Sequence, residues 1–303
     1  MDRVIHILTG CTAVGKTELA LRWAEQFDAE IVSCDSLLFY RGMDIGTAKP
    51  TMAERARVRH YLIDIRDVTE PMDVTEYVTR ARVAVEEIWA RGRKVLVTGG
   101  SGFYLKSFFA AVADSVDVPT AVRAEVAQRL AIGGLEALVE ELRQLNPDGL
   151  GALDVKNPRR VARALERCLA SGKTLAVLEA EFRAQPPPFA DCTVELVELI
   201  RSPGELNQRI EERVATMLRA GLVEEVRGLL ARGLRQNPSA AKAIGYREIV
   251  DCLEERLKES KLAAEIAKNT RTLVKKQRTW FKTQLPAHPT IEAGSAQVSE
   301  LFS

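Results

Sequence analysis

The stretch Gly10-Cys11-Thr12-Ala13-Val14-Gly15-Lys16-Thr17 fits G-x-x-x-x-G-K-[ST], a spacing suited to holding a polyphosphate. A glycine-bearing turn that opens a helix lets successive backbone N–H groups point at one anion. The helix dipole adds partial positive charge, and Lys16 adds a full one. The Thr17 hydroxyl is placed to ligate a Mg2+ ion carried by the phosphates. A second candidate is Asp35, which follows the strand-like run Ala29-Glu30-Ile31-Val32-Ser33-Cys34. Ligands of open α/β sheets gather beyond the carboxyl ends of strands, which puts Asp35 where the P-loop also opens. An aspartate after a strand is more often a turn or N-cap residue. Asp35 is therefore a functional candidate only jointly with the P-loop.

Other chemistry-bearing residues are spread along the chain. Tyr40-Arg41-Gly42-Met43-Asp44-Ile45-Gly46-Thr47-Ala48-Lys49-Pro50 reads as an irregular functional loop, with Arg41 and Lys49 of a type to approach phosphates. Gly99-Gly100-Ser101-Gly102 follows a strand, and three glycines there imply a close backbone approach. Arg159, Arg160, Arg163 and Arg167 share one helical stretch, and Arg209 and Arg213 lie one turn apart on another. Composition alone favours reading that last pair as solvated surface arginines. Lys268, Arg271, Lys275, Arg278 and Lys282 fall at spacings that place all five on one helix face, with no acidic residue from 266 to 285. A single-sign stripe suits an anionic surface such as an RNA backbone.

The elements that must position these residues follow from periodicity. Val4-Ile5-His6-Ile7-Leu8 predicts a strand before the P-loop, and residues 18–24 a helix after it. His60–Ile65 and Lys94–Thr98 read as strands, and residues 74–91 as an amphipathic helix. From about residue 113 the pattern turns helical. Helices are expected over 119–131, breaking at Gly133-Gly134, over 135–145, and from Asn157-Pro158 to Ser171-Gly172. The sheet resumes at Thr193–Ile200. Ser202-Pro203-Gly204-Glu205 then reads as a capping box opening a long helix, followed by helices over 222–232, 239–253 and 255–284. Residues 286–303 show no clear pattern. The expected organisation is an α/β core, residues 1–112 and 191–303, whose parallel sheet is flanked by helices, with an all-helical insertion over 113–190.

The 303 residues, 46% hydrophobic, suffice for a sizeable core, and the formal net charge of +1 points to no partner by itself. Five scattered cysteines without a C-x-x-C pair fit a reduced cytoplasm. No apolar run approaches the length of a membrane span, and the first strand begins too early to leave room for a signal peptide. The three histidines are too far apart in sequence to suggest zinc. Three readings stand at this point: a P-loop kinase of a small molecule or nucleotide, a transferase that discards a diphosphate while acting on a nucleic acid, and a nucleotide switch. No strand ends in the hydrophobic-hydrophobic-Asp-Glu run that a switch would use for its metal. The basic stripe modestly favours the transferase.

The chain resembles the tRNA dimethylallyltransferases (tRNA isopentenyltransferases). The resemblance rests on the P-loop with Thr12-Ala13, Asp35-Ser36, and the long signature Tyr40–Pro50. His60-Tyr61-Leu62-Ile63-Asp64, Gly99–Tyr104, Asn157–Val161, Ala243-Ile244-Gly245-Tyr246 and Lys276–Phe281 follow in the expected order, so that it covers nearly the whole chain. It implies a P-loop NTPase-like core with a helical, tRNA-binding insertion. The implied reaction moves a dimethylallyl group from dimethylallyl diphosphate to N6 of adenosine 37 in the tRNA anticodon loop, with Mg2+. Lys16, Thr17, the P-loop amides and Arg213 would stabilise the leaving diphosphate, Thr12 would meet its bridging oxygen, and Asp35 would be the general base. Asp35, Ser36, Leu37, Leu38, Ser101, Arg123, the run Arg159-Arg160-Val161-Ala162-Arg163, and Lys275 with Arg278 would hold the tRNA. At Leu38 and Phe39 the family usually has glutamine and valine, and at Ser101 threonine. A monomer acting in the cytoplasm is the simplest implied state. The P-loop motif alone would suggest a nucleotide such as ATP as ligand.

Overall fold

The computed structural model describes residues 3–302. Six parallel strands form one sheet in the order β3-β2-β4-β1-β5-β6. They are β1 (Val4–Gly10), β2 (Ala29–Ser33), β3 (His60–Tyr61), β4 (Lys94–Gly99), β5 (Thr193–Ile200) and β6 (Thr290–Glu292). β1 lies at the centre, pairing Ile5 with Val95 on one side and with Val194 on the other. Ile5, Ile7 and Leu8 are fully buried. This explains why the central strands read as continuous apolar runs, since helices cover both faces.

The covering helices are α1 (Lys16–Gln26), α2 (Met52–Arg57), α3 (Val74–Ala90) and α4 (Gly102–Lys106). After these come α5 (Thr120–Gln144), α6 (Pro158–Ser171) and α7 (Leu175–Arg183), and then α8 (Pro203–Arg219), α9 (Leu222–Ala231), α10 (Pro238–Ala241), α11 (Tyr246–Leu253) and α12 (Glu259–Gln284). Two compact units result. One comprises Met1–Ala110 with Pro187–Ser303, and the other Ala111–Pro186. The first holds the sheet, with one apolar cluster around Leu19, Trp23, Leu206, Ile210 and Ile266 and a second around Phe39, Tyr77, Val85, Phe108 and Phe281. The second holds α5, α6 and α7 around Val126, Leu138, Leu142, Val161, Leu165 and Leu178.

Local chemistry sets several boundaries. α5 is split at Gly134, whose φ of 74° and ψ of −176° no helix accommodates. Asn157 caps α6 by accepting the N–H groups of Arg159 and Arg160 with Pro158 at N1, and Gly172 (φ 68°) ends it. Ser202 caps α8 by accepting the Glu205 N–H, while its own hydroxyl donates to the Glu205 carboxylate.

Three expectations needed correction. The strand foreseen over His60–Ile65 is only two residues long, because Leu62 (φ 60°) and Asp64 (φ 57°) turn into the left-handed region. The helix foreseen over 239–253 is broken between α10 and α11. Its second half restarts at Gly245, whose N–H donates to the Glu248 carboxylate. The patternless tail contains β6, a three-residue strand that pairs Thr290 with Glu198 and Glu292 with Ile200.

Candidate active site

The P-loop joins the end of β1 to the start of α1. Ala13 (φ 67°) and Gly15 (φ 108°) both take left-handed backbone, which curls the loop. Gly15 is the N-cap of α1 and provides no side-chain acceptor, so the first-turn N–H groups are left for an anion. Lys16 folds inward, its Nζ donating to the Gly10 carbonyl at 2.7 Å and the Cys11 carbonyl at 3.0 Å. Burial pushes its pKa down to about 8, against the opposing pull of Cys11, Asp35 and Glu198. Cys11 and Val14 are buried and contribute backbone rather than side chains.

Two arginines from the sequence around α8 meet this loop, and a third meets the 40–50 loop. Arg209 Nε donates to the Ala13 carbonyl and Arg201 Nε to the Val14 carbonyl, each at 2.8 Å. Both guanidinium groups stand close to where a Gly15 Cβ would sit. Arg213 Nη2 donates to the Thr47 carbonyl at 3.1 Å, and burial lowers its pKa while Asp35 opposes the shift. The reading of the pair as solvated surface arginines is therefore overturned for Arg213, which is half-buried, whereas Arg209 stays exposed with its Nε held by the P-loop. The helix face they share lies over the P-loop and the 40–50 loop, and that placement is set by tertiary packing.

Asp35 sits at the carboxyl end of β2. One carboxylate oxygen accepts the Leu37 N–H at 3.1 Å, an Asx turn that fixes the side chain. The other oxygen remains for chemistry. Ser101, in the glycine turn after β4, accepts the Ser36 N–H at 2.9 Å and donates to the Ser36 hydroxyl. The two strand ends are thereby tied together beside the P-loop.

The 40–50 loop is clasped from below. The Glu225 carboxylate accepts the N–H groups of Asp44, Ile45 and Gly46 at 3.0, 2.6 and 3.2 Å, and also the Tyr246 hydroxyl at 2.7 Å. The Tyr246 ring lies where a Gly46 Cβ would fall, 2.5 Å away. Tyr246 is fully buried and held by Glu225, so it cannot yield cheaply. Gly46→Ala is expected to destabilise the fold by about 1–3 kcal/mol, the usual cost of overpacking. An unchanged thermal midpoint would show that the loop is not clamped this way. Lys49 and Arg41 are both taken up by carboxylates. Lys49 is only 4% exposed and is held by Asp44, Asp64 and the Tyr40 carbonyl, while Arg41 pairs with Asp67 at 3.0 Å.

Two clefts open on this centre, of about 980 and 720 Å3. Thr12, Asp35, Thr47, Arg213 and Met217 line both. The first also contains Lys16, Thr17, Leu38 and Arg209. The second contains Ser36, Leu37 and Ser101, with Lys276, Gln277 and Trp280 of α12. Leu38 thus faces one cleft and its neighbours Ser36 and Leu37 the other.

The basic stripe of α12 is partly neutralised. Lys268 pairs with Glu265 and Arg271 with Glu211. Lys275, Arg278 and Lys282 are exposed and have no ion-pair partner among the described residues. In the helical unit, Arg123, Arg159, Arg160 and Arg163 are exposed, with Arg163 near Glu166 at 3.4 Å. Ala162 is half-buried and Val161 is fully buried in that unit's core, so the valine's side chain serves packing and only the arginines project. Sequence reasoning missed Arg201, Glu225 and Gln277. Each acts through a backbone group more than 170 residues away in the chain, and no local pattern signals such a contact.

Comparison with known proteins adds an independent line. A sequence profile described as IPP transferase matches residues 38–284. A tRNA dimethylallyltransferase of Opitutus terrae is 66% identical over 289 residues, covering 95% of this chain and 93% of the relative. One from Deinococcus radiodurans is 39% identical over 287 residues, covering 94% and 91%. Among solved structures, the full-length tRNA isopentenylpyrophosphate transferase of Bacillus halodurans aligns with a TM-score of 0.68 at 30% identity, covering 96% of this chain and 90% of that one. A eukaryotic dimethylallyltransferase acting on tRNA shares the fold at a TM-score of 0.84 and 23% identity, covering 99% and 75%.

Proposed function

The chain belongs to the IPP transferase family, and from that premise we propose that it transfers a dimethylallyl group from dimethylallyl diphosphate to N6 of adenosine 37 in the tRNA anticodon loop. The products are N6-(dimethylallyl)adenosine and pyrophosphate. The observation that carries this reading is the meeting of two clefts at Thr12, Asp35, Thr47, Arg213 and Met217. One cleft offers a polyphosphate cradle, and the other, mostly apolar with Ser36, Ser101 and Gln277 at its wall, opens beside a basic helix. A diphosphate ester and a base entering from opposite sides would meet at Asp35.

In this reading N6 attacks C1 of the dimethylallyl group, the C1–O bond to diphosphate breaks, and Asp35 takes the N6 proton. Lys16, the first-turn N–H groups of α1 and Arg213 face the charge that develops on the leaving diphosphate. Preorganised donors of this kind are often the largest catalytic contribution. Thr12 lines both clefts, which suits its hydroxyl to the bridging oxygen. The adenosine must leave its stack to reach Asp35. Ser36, Leu37, Leu38 and Ser101 would then hold it, and the exposed arginines of the helical unit would bind the RNA backbone.

Mg2+ fits the residues present. The Thr17 hydroxyl lines the phosphate cleft, and Mg2+ is commonly bound by few protein oxygens together with substrate phosphates. Thr17 would hold the ion, which when bound would neutralise diphosphate charge. Among the described residues no cluster of three or more His, Cys, Asp or Glu side chains could hold a metal. No helix among the described residues is long and apolar enough to cross a membrane. All five cysteines are free thiols, which suits the reducing cytoplasm, and in this reading the enzyme works there as a monomer.

The deciding experiment incubates the protein with dimethylallyl diphosphate and unmodified tRNA, and separately with ATP and small-molecule or nucleotide acceptors. N6-(dimethylallyl)adenosine in the digested tRNA is the expected result. Phosphoryl transfer without a tRNA product would establish the kinase instead. The tRNA side has its own check. Replacing Lys275, Arg278 and Lys282 together with alanine is expected to weaken tRNA binding and flatten its salt dependence, by about 0.7–0.9 in slope for each phosphate no longer neutralised. An unchanged slope would mean that the stripe is only a solvated face.

A further inference from the structure

Helix α12 has two faces with different partners. Lys275 and Arg278 point to solvent, whereas Gln277 points inward. Its Oε1 accepts the Thr12 N–H at 3.0 Å, and its Nε2 donates to the Gly100 carbonyl at 2.9 Å. One amide thus bridges the P-loop after β1 and the glycine turn after β4. The fit is close. A Cβ on Gly100 would lie 2.8 Å from Gln277 Nε2, and one on Gly102 would lie 2.4 Å from the Trp280 ring, one turn further along α12. The glycines of this turn therefore make room for α12 as well as for any ligand.

The two groups that Gln277 holds are each next to working parts. The Thr12 amide belongs to the residue whose side chain lies between the two clefts. Gly100 precedes Ser101, which is bonded to Ser36 beside Asp35. The Thr12 N–H is taken by Gln277, which gives the phosphate-facing part of the loop a fixed point. A glutamine can accept from one partner and donate to the other at once, which neither glutamate nor leucine can do.

We propose that Gln277 is a positioning residue. It locks the Thr12 amide to the turn at Gly100 and so sets the P-loop against Asp35 and Ser101, with α12 as the brace. This deepens the prenyl-transfer reading and rests on it for the identity of the reaction. The bridge itself predicts an effect on diphosphate binding that needs no RNA.

The test compares Gln277→Leu, which removes both hydrogen bonds while leaving a side chain of similar size, and Gln277→Ala with the wild-type chain. Pyrophosphate affinity is measured without tRNA, tRNA affinity is measured directly, and kcat and KM for dimethylallyl diphosphate are measured in the full reaction. Each broken hydrogen bond costs a few-fold to about tenfold, and a shift of about 1 Å in a reacting group costs about 100-fold. The expected result is pyrophosphate binding weakened about tenfold and kcat lowered about 10- to 100-fold. Direct tRNA affinity should stay within about twofold, the opposite of the Lys275/Arg278/Lys282 variant. Gln277→Asn, too short to span both partners, should not restore activity. Normal pyrophosphate binding together with normal kcat would overturn the proposal. So would a Gln277→Leu protein whose only loss is tRNA affinity, which would make Gln277 an RNA contact or packing residue. If Gln277→Leu lowers the thermal midpoint, Gln277→Ala is measured below its own midpoint with the same two outcomes. Failure of the wild-type chain to prenylate tRNA would refute the reaction assignment and leave the pyrophosphate titration as the test of the bridge.

Discussion

Asp35→Asn is expected to lower the rate of prenyl transfer by about 100- to 10,000-fold, the range over which a positioned general base usually acts. The substitution is chosen for what it preserves. Asparagine keeps the oxygen that accepts the Leu37 N–H, so the Asx turn at the end of β2 stays intact. It removes only the ability to take a proton from N6. Binding of tRNA, measured directly, should change little, because the other RNA-facing residues, Ser36, Leu37, Leu38 and Ser101 among them, are untouched. Single-turnover measurements with saturating donor isolate the chemical step. Turnover near the wild-type rate would remove Asp35 from the role of base and return it to the turn residue that its local sequence suggests.

The second large effect is expected at Lys16. Its Nζ is directed into the P-loop by the Gly10 and Cys11 carbonyls, and burial holds its pKa at about 8. Lys16→Met should lower kcat by about 100- to 1,000-fold, as loss of one preorganised donor to a developing oxyanion usually does, and should weaken pyrophosphate binding as well. The depressed pKa adds a pH signature. The protonated lysine favours an anion, and its population falls as pH rises through about 8. Wild-type affinity for pyrophosphate should therefore be flat, apart from the ligand's own titration, below that point. Above it, affinity should fall by up to about tenfold per pH unit, the limit for one linked proton. Lys16→Met should show only the ligand's titration. Lys16→Arg, charged throughout, should keep its affinity at high pH even if its longer fork costs turnover. Identical pH profiles for wild type and Lys16→Met would dissociate Lys16 from the anion.

Much of the core was legible without coordinates. The P-loop is a local object, since eight consecutive residues fix a curl and a helix start, and the flanking strand and helix have their own periodicities. Asp35 was legible because strand ends in parallel sheets are general ligand positions. The caps at Asn157 and Ser202 were equally local. Elements whose existence depends on a distant partner were not legible. β6 is three residues long and exists only because β5 offers an edge for it. The two-residue β3 and the break at Gly245 depend on backbone turns that apolar spacing does not encode.

At the site, the sequence by itself determined which groups can do chemistry: a polyphosphate cradle with a buried-lysine motif, a carboxylate at the next strand end, and a one-sided basic helix. Tertiary structure decided which of these groups work together. It gave the exposed Arg209 a P-loop carbonyl and drew Arg213 in against the 40–50 loop, and it used Lys49 to neutralise carboxylates. It also brought Glu225 and Gln277 to backbone groups far away in the chain. The physical reason is the same in each case. Backbone curl and helical periodicity arise from neighbours within a few residues. The role of a charged or amide side chain is set by whichever unsatisfied backbone group folding places within about 3 Å of it.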